Sequence, residues 1–157
     1  MDENAQYSKV LSRMQNLCAK RECCSADVLR KAVRLLDGDN GMAAKLVSDL
    51  VSEKYVDDLR YSEAFVREKS SLSGWGPVKI GYMLSAKGIS RDVIAEALKE
   101  IEPDSASMKL ENILKAKYKT VREEKDCKLK LLRFALGRGY NYEDVAKAVD
   151  KVMKSAL

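Results

Sequence analysis

Hydrophobic residues recur along the chain at three- and four-residue steps, the spacing of one face of an α-helix. The first helix shows this spacing best, with apolar positions at Tyr7, Val10, Leu11, Met14, Leu17 and Cys18. A second helix is predicted over 26–36 with Ser25 as its N-cap, and a third over 42–54 after a turn at 37–41. The alternation of apolar and polar residues that is typical of strands is nowhere sustained. The pattern therefore predicts an all-helical protein.

The helical pattern recurs when the chain is shifted by 51 residues. Residues 79–98 then align without a gap with 130–149, and the apolar positions also persist in the first third. A unit of this size can hardly bury its apolar face alone, so neighbouring units must stack. The sequence thus predicts three tandem three-helix repeats (1–54, 55–102 and 103–157) that form an elongated, curved helical solenoid.

The glycine-containing stretch 73–89 allows two interpretations, a phosphate-binding loop or the boundaries between short helices. The spacing of a phosphate loop and its preceding strand are both missing. Gly76-Pro77 instead fits a helix start and Gly88 a helix end, with Ser90 capping the next helix. Gly139 and Asn141 repeat this order one unit later. Trp75 is either a packing residue at a helix entry, as in a hydrophobic staple, or a contact for a partner.

Composition argues against chemistry at a catalytic centre. The chain has no histidine, which removes the commonest general base and metal ligand. Its four cysteines lack a metal-binding spacing and are predicted to be reduced thiols. We therefore expect no enzymatic activity, no cofactor and no metal site.

Charge and hydropathy narrow the choice of partner. The net charge is +5, but residues 109–138 alone hold ten Lys or Arg and four Asp or Glu, so an anionic partner is expected to meet the C-terminal third. No apolar run approaches the length of a membrane span, and the first residues do not begin a signal peptide. We expect a monomeric, cytoplasmic protein without a membrane partner.

Two segments of the middle repeat form a recognisable motif, Y-V-D-D-L-R-Y-S-E-A-F-V (55–66) and G-W-G-P-V-K-I-G-Y-M-L-S-A-K-G-I (74–89). They resemble the RecX family of bacterial recombination regulators. Early and late segments fit more loosely, namely R-M-Q-N-L-C-A-K-R-E (13–22) and F-A-L-G-R-G-Y-N-Y-E-D-V (134–145). The chain departs from the family at Val78-Lys79, where many members carry two arginines. Within the motif, Asp57 or Asp58 is predicted to cap a helix and Arg60 to pair locally. The motif positions with mainly structural roles are Asp57, Asp58, Arg60, Tyr61, Gly76, Ile80, Leu84, Gly88 and Ile89.

The resemblance implies a protein that binds the filament of RecA recombinase on single-stranded DNA. Such proteins hinder ATP hydrolysis and strand exchange and act in recombination, DNA repair and the SOS response. A general helical nucleic-acid-binding module without a dedicated recombinase partner is the alternative. Lys115, Lys119 and Arg122 would share one helix face, which is either an anion-binding surface or simply solvated. The full set of candidate contacts is Lys109, Lys115, Lys117, Lys119, Arg122, Lys128, Lys130, Arg133, Arg138, Lys79, Lys87, Arg91 and Trp75.

Overall fold

The computed structural model describes residues 2–155, which form nine α-helices and contain no β-strand. The prediction of an all-helical protein is confirmed. Within the described residues no helix combines the length and the apolar character that crossing a membrane requires. The helices are α1 (Glu3–Lys20), α2 (Ser25–Leu35), α3 (Asn40–Ser52), α4 (Asp58–Ser71), α5 (Pro77–Ala86), α6 (Arg91–Leu98), α7 (Pro103–Val121), α8 (Cys127–Gly137) and α9 (Tyr142–Ser155).

The described chain forms two compact units, each with its own hydrophobic core. Unit 1 holds the residues up to Ala64 together with Leu84–Ala97, and its core includes Met14, Leu46 and Leu50. Unit 2 holds Phe65–Met83 and the described residues from Leu98 onward. In unit 2, α7, α8 and α9 pack around Leu114, Leu131 and Val149, all of them fully buried. The repeat boundaries at 54 and 102 and the elongated, curved shape stay predictions.

Two helix starts lie slightly earlier than the sequence predicts. Helix α2 already includes Ser25, so Ser25 is not its N-cap; the cap position is Cys24, which makes no side-chain capping bond. Helix α3 begins at Asn40 rather than Met42, because Asp39 caps it by accepting from the Met42 N–H at 3.0 Å. The helix ends at Ser52. The short acidic side chain thus converts half of the predicted turn into the first turn of a helix.

The structure confirms that residues 73–89 contain the start and the end of one helix and the cap of the next. Pro77 is the first residue of α5, where its missing N–H costs nothing. Gly88 follows that helix with a φ of +83°. The Ser90 Oγ then accepts from the Val93 N–H at 3.4 Å at the start of α6. One 51-residue repeat later in the sequence, the Asn141 Oδ1 accepts from the Asp144 N–H at 2.9 Å. The stretch therefore defines architecture and is not a phosphate loop.

Replacing Gly88 by valine should destabilise the protein by about 1–2 kcal/mol, because a side chain at this positive φ is strained. A Cβ there would also lie only 3.2 Å from the Ala26 Cβ. Thermal melts measure the effect. Gly41→Val is the matched control, since Gly41 has no positive φ and its Cβ would meet only the Asp39 Oδ1, at 3.6 Å. Equal melts for the two variants would contradict the left-handed turn at Gly88.

Candidate nucleic-acid interface

Trp75 lies in unit 2 at the centre of a cluster of aromatic and cationic side chains. Its indole packs edge-on against Phe65 of α4, with ring centroids 6.4 Å apart. The Nζ atoms of Lys69 and Lys79 lie over the same indole, 5.0 and 4.4 Å from its centroid. Trp75 thus packs within unit 2, although the ring that it contacts is Phe65 rather than a residue of the helix that follows it. Its role as a contact for a partner stays a prediction. We call Trp75, Lys69 and Lys79 the indole cluster.

A second cluster of the same kind surrounds Phe134 of α8. Lys117 of α7 places its Nζ 5.2 Å from the centre of the Phe134 ring, and the guanidinium carbon of Arg138 lies 5.3 Å from it. Cations over an aromatic face are attracted by its negative quadrupole, which keeps these long side chains ordered. We call Phe134, Lys117 and Arg138 the phenyl cluster.

The two clusters are joined through the backbone, at a point where two glycines meet. The Gly76 N–H donates to the Arg138 carbonyl at 2.8 Å, and the Val78 N–H donates to the Gly139 carbonyl at 2.8 Å. These bonds satisfy N–H groups at the start of α5 that have no partner within the helix. A Cβ on Gly76 would lie 2.5 Å from the Gly139 carbonyl oxygen. Only glycine permits this approach, so it fixes the positions of Lys79 and Arg138 on adjacent backbone.

The four cations of the two clusters have no carboxylate partner among the described residues. Many other candidates of the basic third are already engaged. Lys109 donates to the Ser70 carbonyl at 3.1 Å, and three others form ion pairs: Lys128–Asp150 at 3.5 Å, Arg122–Glu123 at 3.8 Å, and Lys130–Glu124. Charges without a counter-ion are the ones that gain most from an anionic partner. These four unpaired cations, gathered around two aromatic rings, are therefore candidates for contact with an anionic partner.

The remaining basic candidates of unit 2 are exposed. Lys115 and Lys119 project from α7 and Arg133 from α8, and none of them forms an ion pair with a described residue. Arg122 was predicted to lie on the helix of Lys115 and Lys119, but it is the C-cap residue that follows α7. Arg138 is likewise the C-cap residue that follows α8. Basic groups at a helix C-terminus interact favourably with the helix dipole. The predicted common face of Lys115, Lys119 and Arg122 thus includes one residue already paired with Glu123.

In unit 1, the acidic and basic residues of the family-like motif hold neighbouring segments together. Asp57 caps α4 by accepting from the Arg60 N–H at 3.1 Å, as predicted. Asp58 accepts from the N–H and the hydroxyl of Ser25, at 2.8 and 2.6 Å. The Arg60 Nε donates to Glu22, far away in the sequence, at 2.7 Å. Its terminal nitrogens donate to the nearby carbonyls of Lys54 and Tyr55, at 3.2 and 3.3 Å, so Arg60 has local partners and a distant ion pair. These bonds connect the start of α4 to the start of α2 and to the segment between α1 and α2, where Glu22 lies.

The other motif positions of the two units are mainly structural as well. Ile80 and Leu84 are fully buried, and Ile89 is 5% exposed. Tyr61 lies in a cavity of unit 1 with Lys87, and burial raises the pKa of its hydroxyl. Arg91 is the exposed first residue of α6.

Lys87, a candidate contact, is already paired in unit 1. Its Nζ lies 3.2 Å from the Asp27 carboxylate, and this hydrogen bond raises the pKa of Lys87. Burial tends to raise the pKa of Asp27, but hydrogen bonds from Cys24 and Lys87 and the charge of Arg30 outweigh it, so the pKa of Asp27 is lowered. The pair explains Lys87 as a structural residue.

The lowered pKa of Asp27 predicts a pH dependence of stability. A carboxyl group whose pKa is lower when folded stabilises the protein above its unfolded pKa, about 3.9. That contribution is lost as the pH falls through the folded value. Asp27→Asn should therefore lower the free energy of unfolding at pH 7, and its difference from the native protein should shrink at pH 3. Urea unfolding at both pH values measures this. Asp92→Asn, at an exposed acid of the same unit, is the control, and an equal change with pH would contradict the prediction.

All four cysteines are free and buried. Burial raises the pKa of Cys18 to about 12 and also raises the pKa of Cys24. A thiol in this state is protonated near neutral pH and is a poor nucleophile. The cysteines therefore act as core residues, which agrees with their packing.

The sequence analysis missed two members of the two clusters, Lys69 and Phe134, and also Phe65, the ring that packs against Trp75. A weak signal was present, because lysine and phenylalanine are separated by four residues at 65–69 and so share a helix face. Nothing local indicated that Phe134 would receive cations from two segments. Of the predicted contacts, the structure brings together Trp75, Lys79, Lys117 and Arg138.

Three comparisons with known proteins agree on one family. Residues 57–98 match the family described as RecX, second three-helix domain. The protein called Regulatory protein RecX of Clostridium tetani is 32% identical over 121 residues, which cover 74% of this chain and 55% of that relative. Its namesake in Clostridium botulinum is 29% identical across 98% of this chain and 78% of its own length.

Solved structures reproduce the fold. The crystal structure of RecX from Lactobacillus salivarius matches with a TM-score of 0.85 and 20% identity, over 95% of this chain and 97% of that one. A second crystal structure of regulatory protein RecX gives a TM-score of 0.84 over 94% of this chain and 73% of that one. The helices and their order therefore define a protein with the RecX fold. The chain belongs to the RecX family, whose members are regulatory proteins.

Proposed function

We propose that this regulatory protein binds the RecA recombinase filament on single-stranded DNA and restrains its ATPase, strand exchange and growth. The family supplies the recombinase as the partner, since it is the target implied by the resemblance. The observation that carries the proposal is the set of unpaired cations at Lys69, Lys79, Lys117 and Arg138. The Gly76–Gly139 contact places two of them, Lys79 and Arg138, on adjacent backbone. In this view the protein acts by occupying the filament in the cytoplasm and performs no chemistry.

The charge distribution supports a polyanionic partner. The segment 109–138 has a net charge of +6, and neutralising phosphates with lysine and arginine releases condensed counter-ions. A nucleoprotein filament offers phosphate and protein surface together. A general nucleic-acid-binding module would use the same cations without contacts to the recombinase.

Co-sedimentation separates these two functions. Purified protein is mixed with RecA filaments on single-stranded DNA or with the same DNA alone, over a series of salt concentrations, and the recombinase ATPase is measured in parallel. We expect tighter binding to filaments than to DNA and a fall in ATPase rate. Equal affinity for bare DNA with unchanged ATPase and strand exchange would contradict the proposal and favour the general module.

A further inference from the structure

The indole cluster combines an aromatic ring with two cations that have no counter-ion among the described residues. Lys69 and Lys79 place two like charges over one ring, close enough to be within a Debye length of about 10 Å at 0.1 M salt. Neither ammonium has a carboxylate partner among residues 2–155. The ring partly offsets their repulsion, but a cation–π contact at a partly exposed site contributes little. The arrangement therefore lacks a counter-ion.

The other cations that border Trp75 are already engaged. The indole also borders a cavity of about 200 Å³, together with Arg67 and Lys109. Arg67 is paired with Glu100 at 3.4 Å, and Lys109 donates to the Ser70 carbonyl. The cations free to take up an anion near Trp75 are thus Lys69 and Lys79, on the ring itself.

We propose that the indole cluster binds single-stranded nucleic acid by an exchange of contacts. The two ammonium groups leave the ring for phosphates of the strand, and a base stacks on the face of Trp75 that they vacate. The phenyl cluster repeats this arrangement with Phe134, Lys117 and Arg138, one backbone contact away. The inference deepens the proposed function, because it identifies the residues that would hold the DNA strand of a filament.

The choice of a single strand follows from the chemistry. Bases that are not paired expose their π-faces, and stacking on an aromatic side chain is tolerant of sequence and contributes about 1–3 kcal/mol per base. A duplex would offer its phosphates but keep its bases stacked. Inorganic phosphate would offer charge without a base. Only an unpaired strand uses both the lysines and the indole.

Trp75 is the only tryptophan of the chain, so its fluorescence reports on this site alone. We expect labelled oligothymidylate to quench it in step with binding measured by anisotropy. Inorganic phosphate and a duplex of equal charge should quench little. Unchanged emission at saturating oligothymidylate, or equal quenching by the duplex or by phosphate, would overturn the inference.

Two variants separate the charges from the ring. Lys69→Gln with Lys79→Gln should lower the slope of log affinity against log salt by about 1.4, because each phosphate contact of a single strand contributes about 0.7. Trp75→Leu should weaken oligothymidylate binding about tenfold and leave that slope unchanged. A native salt slope in the lysine variant, or native affinity in Trp75→Leu, would contradict the proposal.

The control is Lys45→Gln in unit 1, because Lys45 lies 5.0 Å from the centre of the Tyr7 ring, the same distance as Lys69 from Trp75. It should bind like the native protein. Failure of the inference and failure of the proposed function are distinguishable. Quenching by oligothymidylate without filament binding would overturn only the recombinase partner, whereas filament binding without quenching would overturn only this site. The quenching experiment uses the native protein, so it decides even if a variant fails to fold.

Discussion

Replacing Gly139 by alanine is expected to lower the free energy of unfolding by about 2–5 kcal/mol. Two effects add. Gly139 has a φ of +95°, a left-handed conformation that costs a side chain about 1–2 kcal/mol. The new Cβ would also lie 2.8 Å from the Lys79 nitrogen and 3.0 Å from its Cα, and such overpacking typically costs about 1–3 kcal/mol. Urea unfolding followed by Trp75 fluorescence measures the loss.

Gly137→Ala is the matched control, two residues earlier. Gly137 lies at the end of α8, has no positive φ, and a Cβ there would have no atom within 4 Å. Alanine is favoured over glycine in a helix, so this variant should be as stable as the native protein or more so. If Gly139→Ala unfolds at the same urea concentration as Gly137→Ala, the close approach of the two backbones is wrong.

The sequence indicates these glycines as helix boundaries but not as partners. A cap or a left-handed turn depends on a few neighbouring residues, so Gly88, Ser90 and Asn141 could be placed by local rules. The contact of Gly76 with Gly139 joins two segments distant in the sequence. One sequence carries no record of that proximity, because a glycine that avoids a distant backbone looks the same as a glycine that ends a helix.

The candidate interface shows the same difference between features set by neighbouring residues and contacts between residues far apart in the sequence. Periodicity and net charge placed a set of basic residues on α7 and α8, and the structure has Lys115, Lys117 and Lys119 on α7. They could not tell paired from unpaired cations, because the partner of Lys128 is Asp150 on α9 and that of Arg60 is Glu22 before α2. Which charges are available to a ligand depends on tertiary contacts, and these follow only once the helices have packed.

This distinction between paired and unpaired cations predicts the second large effect. Changing Lys117 and Arg138 together to glutamate should weaken binding to RecA filaments by at least about tenfold at low salt, because it places acidic groups where phosphates are expected. It should also flatten the salt dependence. The melt should change little, since half-exposed or exposed cations on an aromatic ring contribute about 0.5–1 kcal/mol each.

Lys128 and Lys130 provide the comparison that isolates position from charge. Changing both lysines to glutamate alters the net charge of +5 by the same amount as the first variant. Lys128 and Lys130 lie on α8, which Arg138 directly follows. These lysines already face Asp150 and Glu124. If binding depends on cations without a counter-ion, this control should lose much less affinity than the first variant at every salt concentration. Equal losses would mean that filaments sense only the overall charge of the basic third, and the two clusters would then have no special part in binding. Melts recorded on the same samples ensure that each compared protein is folded.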